Sequence, residues 1–353
     1  MVWGVTVGAS FIVFTSISFM GMVFAVLSSG LLGLWISLEL SFFGFIPVLN
    51  GKTVAENEGA VKYFIMQSVG SGVLLAGAIL VSGEFVSMLG LSLSGWFCDM
   101  LVVLGLMVKL GVFPMHFWFP SVMASVSWFS CFWLSVVQKL GPFWAMGGLG
   151  VGGWLLGMVG FMVVLTSVVG AVGGLAQVQF RPLLAYSSLG QTGWIGLLSL
   201  VQPELFLLYF LLYGLILVGL LTGLNLINSY SLVSVPGWSL SKGLLFWFHS
   251  SSFFMSLSGV PPFVGAGLKL MGIFIILNYY PLLLGILIGT SMLSLYYYLT
   301  MFISGIVSVG GSQFLIYSEA AFVGKLSIVF IILSMLNWFG GFPLFMLAGS
   351  LAY

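Results

Sequence analysis

The sequence predicts an all-α polytopic membrane protein with about eleven transmembrane helices. The chain has 353 residues, of which 61% are hydrophobic and only 4% are charged, and its mean hydropathy is +1.26. A soluble domain carries about 25% charged residues, and eight basic and seven acidic side chains cannot build a soluble surface. No long polar segment interrupts the apolar sequence, so we expect a single membrane domain.

Apolar runs of about 20 residues, the length that crosses a bilayer, follow one another along the chain. The predicted spans of the first half are approximately residues 5–26, 30–49, 60–81, 100–119 and 124–146. Those of the second half are approximately residues 151–175, 182–200, 204–226, 243–278, 281–303 and 325–347. Prolines interrupt the fourth and ninth runs, which are therefore predicted to be broken helices.

The charges between the spans are distributed asymmetrically. Loops and span mouths after even-numbered spans carry Glu56, Glu58, Glu319 and five basic residues, Lys52, Lys62, Arg181, Lys242 and Lys325. Those after odd-numbered spans carry Glu84, Asp99 and Glu204 and no basic residue. By the positive-inside rule the N-terminus lies on the cytoplasm-equivalent side, which is the matrix in a mitochondrion, and the C-terminus lies opposite. Reading the ninth span as two passes would move Lys325 to the other face, so the bias favours one broken pass.

Four charged residues fall inside the predicted spans: Glu39, Lys109, Lys139 and Lys269. Facing lipid, they would cost about 10 kcal/mol or more together, so they are expected to face the bundle interior on an ion or proton pathway. Lysine suits such a pathway because burial disfavours its charged form, whereas a nearby carboxylate favours it. We predict contact between Glu39 and Lys109, since each alone would be an uncompensated buried charge.

The stretch Lys109–Pro120, KLGVFPMHFWFP, places a lysine, a histidine and two prolines inside otherwise hydrophobic sequence. Pro114 lacks an N–H, and a helix broken there frees backbone groups that lipid cannot satisfy. The stretch therefore predicts a protein-lined, hydrated site. The alternative is a lysine that extends toward the membrane surface near a helix end, beside a loop proline.

The second broken span has its break at Gly259-Val260-Pro261-Pro262 and occupies the matching position in the second half of the chain. Two inverted five-helix repeats, about residues 1–147 and 150–304, with an appended helix at about 325–347, would produce this pattern. Two unrelated proline kinks are the alternative. Lys109 precedes its break whereas Lys269 follows its own, which a strict repeat does not explain.

Other polar residues are weaker candidates. His116 can act as a relay or as an ordinary hydrogen-bonded histidine. Tyr186, Ser187, Ser188 and Gln191 can line a proton wire or make interhelical hydrogen bonds. Cys98 and Cys131 are interpreted as buried thiols. We find no dinucleotide fingerprint, iron–sulfur cysteine set, haem-ligand pair or basic run, so the sequence predicts no redox, metal or nucleic-acid site in this chain.

Six segments carry a family resemblance. They are Trp35–Leu49, Glu56–Ser71, KLGVFPMHFWFPSV at Lys109–Val122, QKLGPF at Gln138–Phe143, Gly173–Trp194 and LSGVPPFVGAGLKL at Leu257–Leu270. In order and spacing they resemble the NADH–ubiquinone oxidoreductase chain 2 family, the antiporter-like membrane subunits of mitochondrial respiratory complex I, in the short animal form. Many members of that family have a histidine where this chain has Gln191. Glutamine can order water but cannot take up a proton near neutral pH.

The resemblance implies a proton-translocating subunit of the complex I membrane arm in the mitochondrial inner membrane. It implies that Glu39 pairs with Lys109, that Lys139 is the central relay lysine, and that Lys269 faces the exit half-channel. The implied cofactors, FMN and iron–sulfur clusters, belong to partner subunits. The implied neighbours are chains 4 and 4L, the lateral helix of chain 5, and lipids. A stand-alone cation/proton antiporter and an inert membrane-arm scaffold remain alternatives.

Overall fold

The computed structural model describes residues 8–51, 53–82, 95–149, 153–227, 250–310 and 328–351. Within these ranges the chain forms helices and connecting turns and no strand, so the predicted all-α class is confirmed. Seven helices are long and apolar enough to cross a membrane, and the count of about eleven spans stays a prediction. Five charged residues used for orientation, Lys52, Glu84, Lys242, Glu319 and Lys325, lie outside the described residues.

The first part of the chain forms α1 (Ala9–Leu27), α2 (Leu31–Leu49), α3 (Val54–Val81), α4 (Gly95–Leu110), α5 (Trp118–Ser125), α6 (Trp128–Phe132) and α7 (Gln138–Gly148). A π-helical turn, Trp133–Val137, joins α6 to α7. The remainder forms α8 (Gly153–Leu175), α9 (Phe180–Val201), α10 (Pro203–Ile227), α11 (described over residues 250–258), α12 (Val264–Leu277), α13 (Pro281–Gly310), α14 (Ile328–Phe339) and α15 (Gly341–Leu351).

Helix α3 begins at Val54 rather than near residue 60, where its apolar run starts. Thr53 and Glu56 form a capping box, in which each side chain accepts a hydrogen bond from the other residue's backbone N–H. These two bonds satisfy amides that a helix start leaves without partners, so the polar sequence before the apolar run also becomes helical.

The first break lies at Gly111 rather than at Pro114, because α4 ends at Leu110 and Gly111 has φ of 69°. The Gly111 N–H donates to the Val108 carbonyl at 3.2 Å, and the Val112 N–H donates to the Met107 carbonyl at 3.0 Å. This pair of bonds is a Schellman cap, which glycine favours because it adopts positive φ without a steric cost. The predicted span at 100–119 therefore contains the end of α4, a turn, and the first two residues of α5.

The second break repeats the same local structure. Gly259 has φ of 90°, its N–H donates to the Ser256 carbonyl at 3.0 Å, and the Val260 N–H donates to the Met255 carbonyl at 3.2 Å. The peptide bonds Phe113–Pro114 and Pro261–Pro262 that follow the two glycines are both cis. When the two sequences are aligned on their cap glycines, Gly111 and Gly259, Lys109 precedes its glycine and Lys269 follows its own. The two lysines therefore do not occupy equivalent positions.

Two other predicted spans are also divided. Near the start of the predicted fifth span, α5 ends at Ser125 and Val126 is extended. The Ser127 side chain then caps α6 by accepting a bond from the Ser130 N–H at 3.4 Å. The predicted eleventh span is divided at Gly340, between α14 and α15. The hydropathy of both stretches stays high across the turns, because the residues at the turns are themselves apolar or small. The sequence therefore predicted one continuous helix in each stretch.

The chain packs as two compact units. Unit 1 comprises Met1–Ser167 and Gln191–Phe206, and unit 2 comprises Val168–Gly190 and Leu207–Tyr353. The predicted repeats, residues 1–147 and 150–304, remain a prediction.

Close helix contacts in unit 1 occur at small residues. Gly21 of α1 lies against the backbone of α2 at Ser41, and a Cβ at Gly44 of α2 would lie 2.6 Å from the Ser18 backbone nitrogen of α1. The Ser18 and Ser41 hydroxyls are 3.4 Å apart between the same two helices. Small residues allow helix backbones to approach closely, which is how apolar helices gain packing energy in a membrane.

Unit 2 has comparable contacts around the second break. A Cβ at Gly267 of α12 would lie 2.6 Å from the Leu344 Cβ of α15, and Gly341 lies against the Pro262 backbone. Asn337 of α14 donates to the Ser252 carbonyl of α11 at 3.2 Å. The divided C-terminal helix is thus packed against both halves of the second broken helix.

Candidate functional site

Glu39 and Lys109 form a buried ion pair in unit 1. The Lys109 Nζ lies 3.3 Å from the Glu39 Oε1, and the two side chains are 3% and 13% exposed, respectively. Lys109 belongs to the last turn of α4, where the helix dipole also favours a positive charge. The contact predicted from the sequence is therefore present, between the middle of α2 and the end of a broken helix.

Side chains from neighbouring helices hold the end of α4 in place. The Gln67 Nε2 of α3 donates to the Lys109 carbonyl at 3.2 Å, and the Trp118 Nε1 of α5 donates to the Val108 carbonyl at 3.2 Å. The Lys109 carbonyl is one that a helix end leaves without an intrahelical partner, and the Val108 carbonyl accepts the Trp118 bond in addition to the Gly111 N–H. The backbone that carries Lys109 is thereby fixed from both sides.

Lys139 lies in the second position of α7, directly after the π-helical turn, and is buried. Its Nζ is 4.2 Å from the centroid of the Phe119 ring. A π-helical turn changes the direction in which the following side chains point, and such turns are frequent at functional sites. The sequence identified Lys139 as a candidate but did not predict the π-helical turn.

Lys109 and Lys139 line one cavity of about 10 Å³. Its other polar lining groups are Tyr63, Gln67 and Gln138, and the rest of the wall is apolar. A cavity needs a volume of about 10–15 Å³ and at least two polar partners to hold one water molecule. The cavity is therefore just large enough for a single water, and both lysines line it.

His116 lies beyond the first break, between the rings of Phe113 and Phe117, with ring centroids at 5.9 and 4.1 Å. The Pro114 carbonyl approaches its imidazole without hydrogen-bond geometry, and its Nδ1 is buried without a hydrogen-bond partner in the described part of the chain. His116 is not among the residues that line the cavity between Lys109 and Lys139.

In unit 2, Lys269 lies in α12 and reaches back across the second break. Its Nζ donates to the Ser258 carbonyl at 2.6 Å, at the end of α11. A Cβ at Gly259 would lie 2.7 Å from the Lys269 Cδ, so glycine there also leaves room for the lysine stem. Within the described residues, the buried ammonium is held by a helix C-terminus, which favours positive charge.

The remaining candidates are on α9. Ser187 and Ser188 are buried in unit 2, where the buried hydroxyls of Tyr298 and Tyr213 approach them without hydrogen-bond geometry. Tyr186 is half-buried and packs against Gly173. Gln191 is buried and belongs to unit 1. The site in unit 1 therefore brings together Glu39, Lys109 and Lys139, and the serines belong with Lys269 to the other unit.

Comparison with known proteins gives the context of this site. The profile described as "NADH:quinone oxidoreductase/Mrp antiporter, TM" matches residues 28–294, a range that includes both broken helices and all four buried charges. Chain 2 of NADH-ubiquinone oxidoreductase from Lumbricus terrestris is 34% identical over 294 residues, 81% of this chain and 83% of that protein. The Locusta migratoria protein of the same name is 30% identical over 93% of this chain and 94% of its own length.

The chain belongs to the NADH-ubiquinone oxidoreductase chain 2 family.

Solved structures confirm the fold of this chain 2 family member. A chain of respiratory complex I from Thermus thermophilus aligns with 96% of this chain and 81% of its own length, with a TM-score of 0.74 and 23% identity. A chain of the Mrp complex from Dietzia aligns with 97% of this chain and 80% of its own length, with a TM-score of 0.72 and 17% identity. The antiporter-like helical architecture is therefore shared at low identity.

A polar network lies beside Lys139, and the sequence analysis did not predict it. The Gln138 Nε2 donates to the Ser18 and Ser41 hydroxyls at 2.9 and 3.1 Å, and the Tyr63 hydroxyl donates to the Gln138 Oε1 at 3.3 Å. Trp133 also donates to Ser18, at 2.9 Å. The sequence signal for this network is the glutamine next to a lysine inside an apolar span. The hydrogen-bond partners of Gln138 come from three other helices, so the sequence alone does not identify them.

Replacing Gln138 by leucine is expected to lower the stability of the assembled protein by about 1–3 kcal/mol, because buried hydroxyls lose their amide partner. The measurement is the thermal midpoint of the detergent-extracted protein. Gln177→Leu is the control, because Gln177 is half-buried and makes a single local bond to Gly173. Equal midpoints for the two variants would contradict the role assigned to the network.

Proposed function

We propose that this chain is a proton-translocating, antiporter-like subunit of the membrane arm of respiratory complex I, NADH:ubiquinone oxidoreductase. The observation that carries the proposal is the Glu39–Lys109 ion pair, whose lysine lines a water-sized cavity together with Lys139. Buried charges inside a membrane are costly, and their use as proton carriers accounts for their presence. Membership of the chain 2 family supports the same conclusion.

The geometry suggests how the proton moves in unit 1. The Lys109 ammonium gives one proton to a water in the cavity, and that water passes a proton to the lone pair of the neutral Lys139 amine. Lys109 is left neutral and Lys139 becomes charged. The carboxylate of Glu39 favours the charged form of Lys109 while the two are in contact, so separating them favours proton release. Glu39 thus controls when Lys109 gives up its proton.

Lys269 is proposed as the corresponding proton carrier of unit 2. Among the described residues, its charge is balanced by a helix end rather than by a full carboxylate, so it is held by a partial charge of about half an electron. Such a site binds a proton less strongly than an ion pair does, which suits a group that releases protons. Ser187, Ser188 and Tyr186 are proposed to line the route in unit 2, and Gln191 is proposed to order water in unit 1.

In this proposed function, partner subunits carry out the redox chemistry. FMN and iron–sulfur clusters would receive electrons from NADH there, and ubiquinone would accept them, while this chain moves protons. Its proposed neighbours are chains 4 and 4L and the lateral helix of chain 5, with lipids covering the remaining apolar surface. The proposed location is the mitochondrial inner membrane, with the N-terminus in the matrix.

Co-purification tests this assignment against a stand-alone cation/proton antiporter, which the Mrp-like fold makes the principal alternative. An affinity tag on the full-length chain is expected to recover flavin and iron–sulfur absorbance together with NADH oxidation after mild detergent extraction. Recovery of the chain alone, with cation/proton exchange in reconstituted vesicles and no flavin, would establish the alternative.

The proposed orientation has its own test. Single cysteines in place of Lys52 and Glu84 are expected to react with a membrane-impermeant maleimide from opposite sides of sealed membranes, because the basic loops stay inside. Both native cysteines, Cys98 and Cys131, are buried, so background labelling should be low. Labelling of both positions from one side would refute the topology.

A further inference from the structure

The face of one buried aromatic ring contacts the central lysine of unit 1. Phe119 is completely buried, and the Lys139 Nζ lies 4.2 Å from its ring centroid. Ammonium groups within about 6 Å of a ring centroid are attracted by the negative face of the ring, more strongly where water is excluded. Phe119 also lines the cavity that Lys139 shares with Lys109.

The first broken helix places this ring. Phe119 is the second residue of α5, and its N–H donates to the His116 carbonyl at 3.1 Å. The preceding Trp118 donates to the Val108 carbonyl of α4, which ties the start of α5 to the end of the helix that carries Lys109. A Cβ at Gly111 would lie 3.4 Å from Trp118 and 3.5 Å from Phe119. The break that exposes Lys109 to the cavity therefore also positions Phe119.

We propose that Phe119 is a positioning residue that binds the charged form of Lys139 and holds its ammonium beside the shared cavity. The inference rests on the proposed function, since it concerns the loaded state of the relay lysine. An aromatic face attracts an ammonium more strongly than a neutral amine, and it has no lone pair that accepts a proton. The ring thus stabilises loaded Lys139 without taking its proton, unlike a carboxylate such as Glu39.

Polar groups that line the same cavity have partners of their own. Across the cavity lie Lys109 from α4, which carries the same charge when protonated, and the neutral groups Tyr63 and Gln67 from α3. Gln138 from α7 is committed to Ser18, Ser41 and Tyr63. Glu39 is bonded to Lys109. The Phe119 ring, in contrast, lies directly against the Lys139 ammonium.

The test compares Phe119→Leu, which removes the ring, with Phe119→Tyr, which keeps it, in the intact complex. Proton-coupled electron transfer is expected to fall about three- to tenfold in the leucine variant and to stay near the parent level in the tyrosine variant. Phe143→Leu is the matched control, because Phe143 is equally buried but its ring packs against Phe206. If Phe119→Leu does not assemble, Phe119→Met fills the space flexibly and gives the same comparison.

A double variant separates positioning of Lys139 from general packing. If Phe119 acts through Lys139, adding Phe119→Leu to Lys139→Met should cause no further loss of turnover. A Phe119→Leu variant that matches Phe143→Leu, or losses that multiply in the double variant, would overturn the inference and leave the proposed function standing. A silent Lys139→Met variant would overturn the relay role itself, and this inference with it.

Discussion

Replacing Lys109 by methionine is expected to reduce proton translocation about tenfold or more, because methionine keeps most of the bulk and cannot carry a proton. Electron transfer to quinone should slow or become uncoupled from pumping. The measurement is the proton-to-electron ratio of the complex in sealed vesicles, together with the NADH oxidation rate. Lys62→Met is the control, because Lys62 is an exposed lysine on α3.

Loss of Lys109 also leaves the Glu39 carboxylate buried without its partner, which can cost about 3–5 kcal/mol and reduce assembly. The double variant Lys109→Met/Glu39→Gln removes both charges and separates the two effects. Its assembly should recover toward the parent level, whereas its proton translocation should remain low. A Lys109→Met variant with unchanged assembly and an unchanged proton-to-electron ratio would show that the chain is an inert scaffold.

Replacing Gly21 by valine is expected to cause the largest loss of assembled protein among the substitutions proposed. A side chain at Gly21 would meet the backbone of α2, at Ser41 and at the Ser37 carbonyl 2.8 Å away, and backbone cannot move aside as a side-chain tip can. Overpacking in a core costs about 1–3 kcal/mol and more when backbone must shift. The damage would reach the site, because Ser41 belongs to the network around Gln138.

The measurement for Gly21→Val is the amount of intact complex in native gels. Gly72→Val is the matched control, since Gly72 is inside α3, is exposed, and has open space at its Cβ position. Both substitutions carry the same helix-propensity change, so a difference between them reports the α1–α2 contact. Equal levels of complex would contradict the close packing assigned to Gly21.

The buried charges show how far a sequence can predict a membrane site. The sequence identified four candidates, Glu39, Lys109, Lys139 and Lys269. An ionised group inside an apolar span has a high free-energy cost, so its presence indicates a functional role. The same reasoning paired Glu39 with Lys109. It gave no partner for Lys139 or Lys269, whose contacts in the structure include an aromatic face and a backbone carbonyl, respectively. Such contacts carry no formal charge and leave no signal in composition.

The local caps were only partly predictable. Proline marked both breaks, and the predicted second break already included Gly259. The first helix ends earlier than Pro114, because Gly111 at positive φ completes a Schellman cap, as Gly259 does at the second break. The capping box of Thr53 and Glu56 extended α3 beyond its apolar run for a similar reason. Hydropathy reports the free energy of transfer into lipid. A helix, in contrast, ends where its backbone N–H and C=O groups form hydrogen bonds with partners outside the helix.

The sequence by itself determined the membrane class, the apolar runs, the residues that bear charge inside them and the family. These follow from transfer energies and motifs, which are properties of short stretches. Only the tertiary structure decided that Lys109 and Lys139 share a water-sized cavity, that Phe119 faces Lys139, and that Gln138 binds Ser18 and Ser41. Each of these contacts joins residues from different helices. Their geometry depends on how closely small residues such as Gly21 and Gly44 let the helices approach, which no single stretch of sequence encodes.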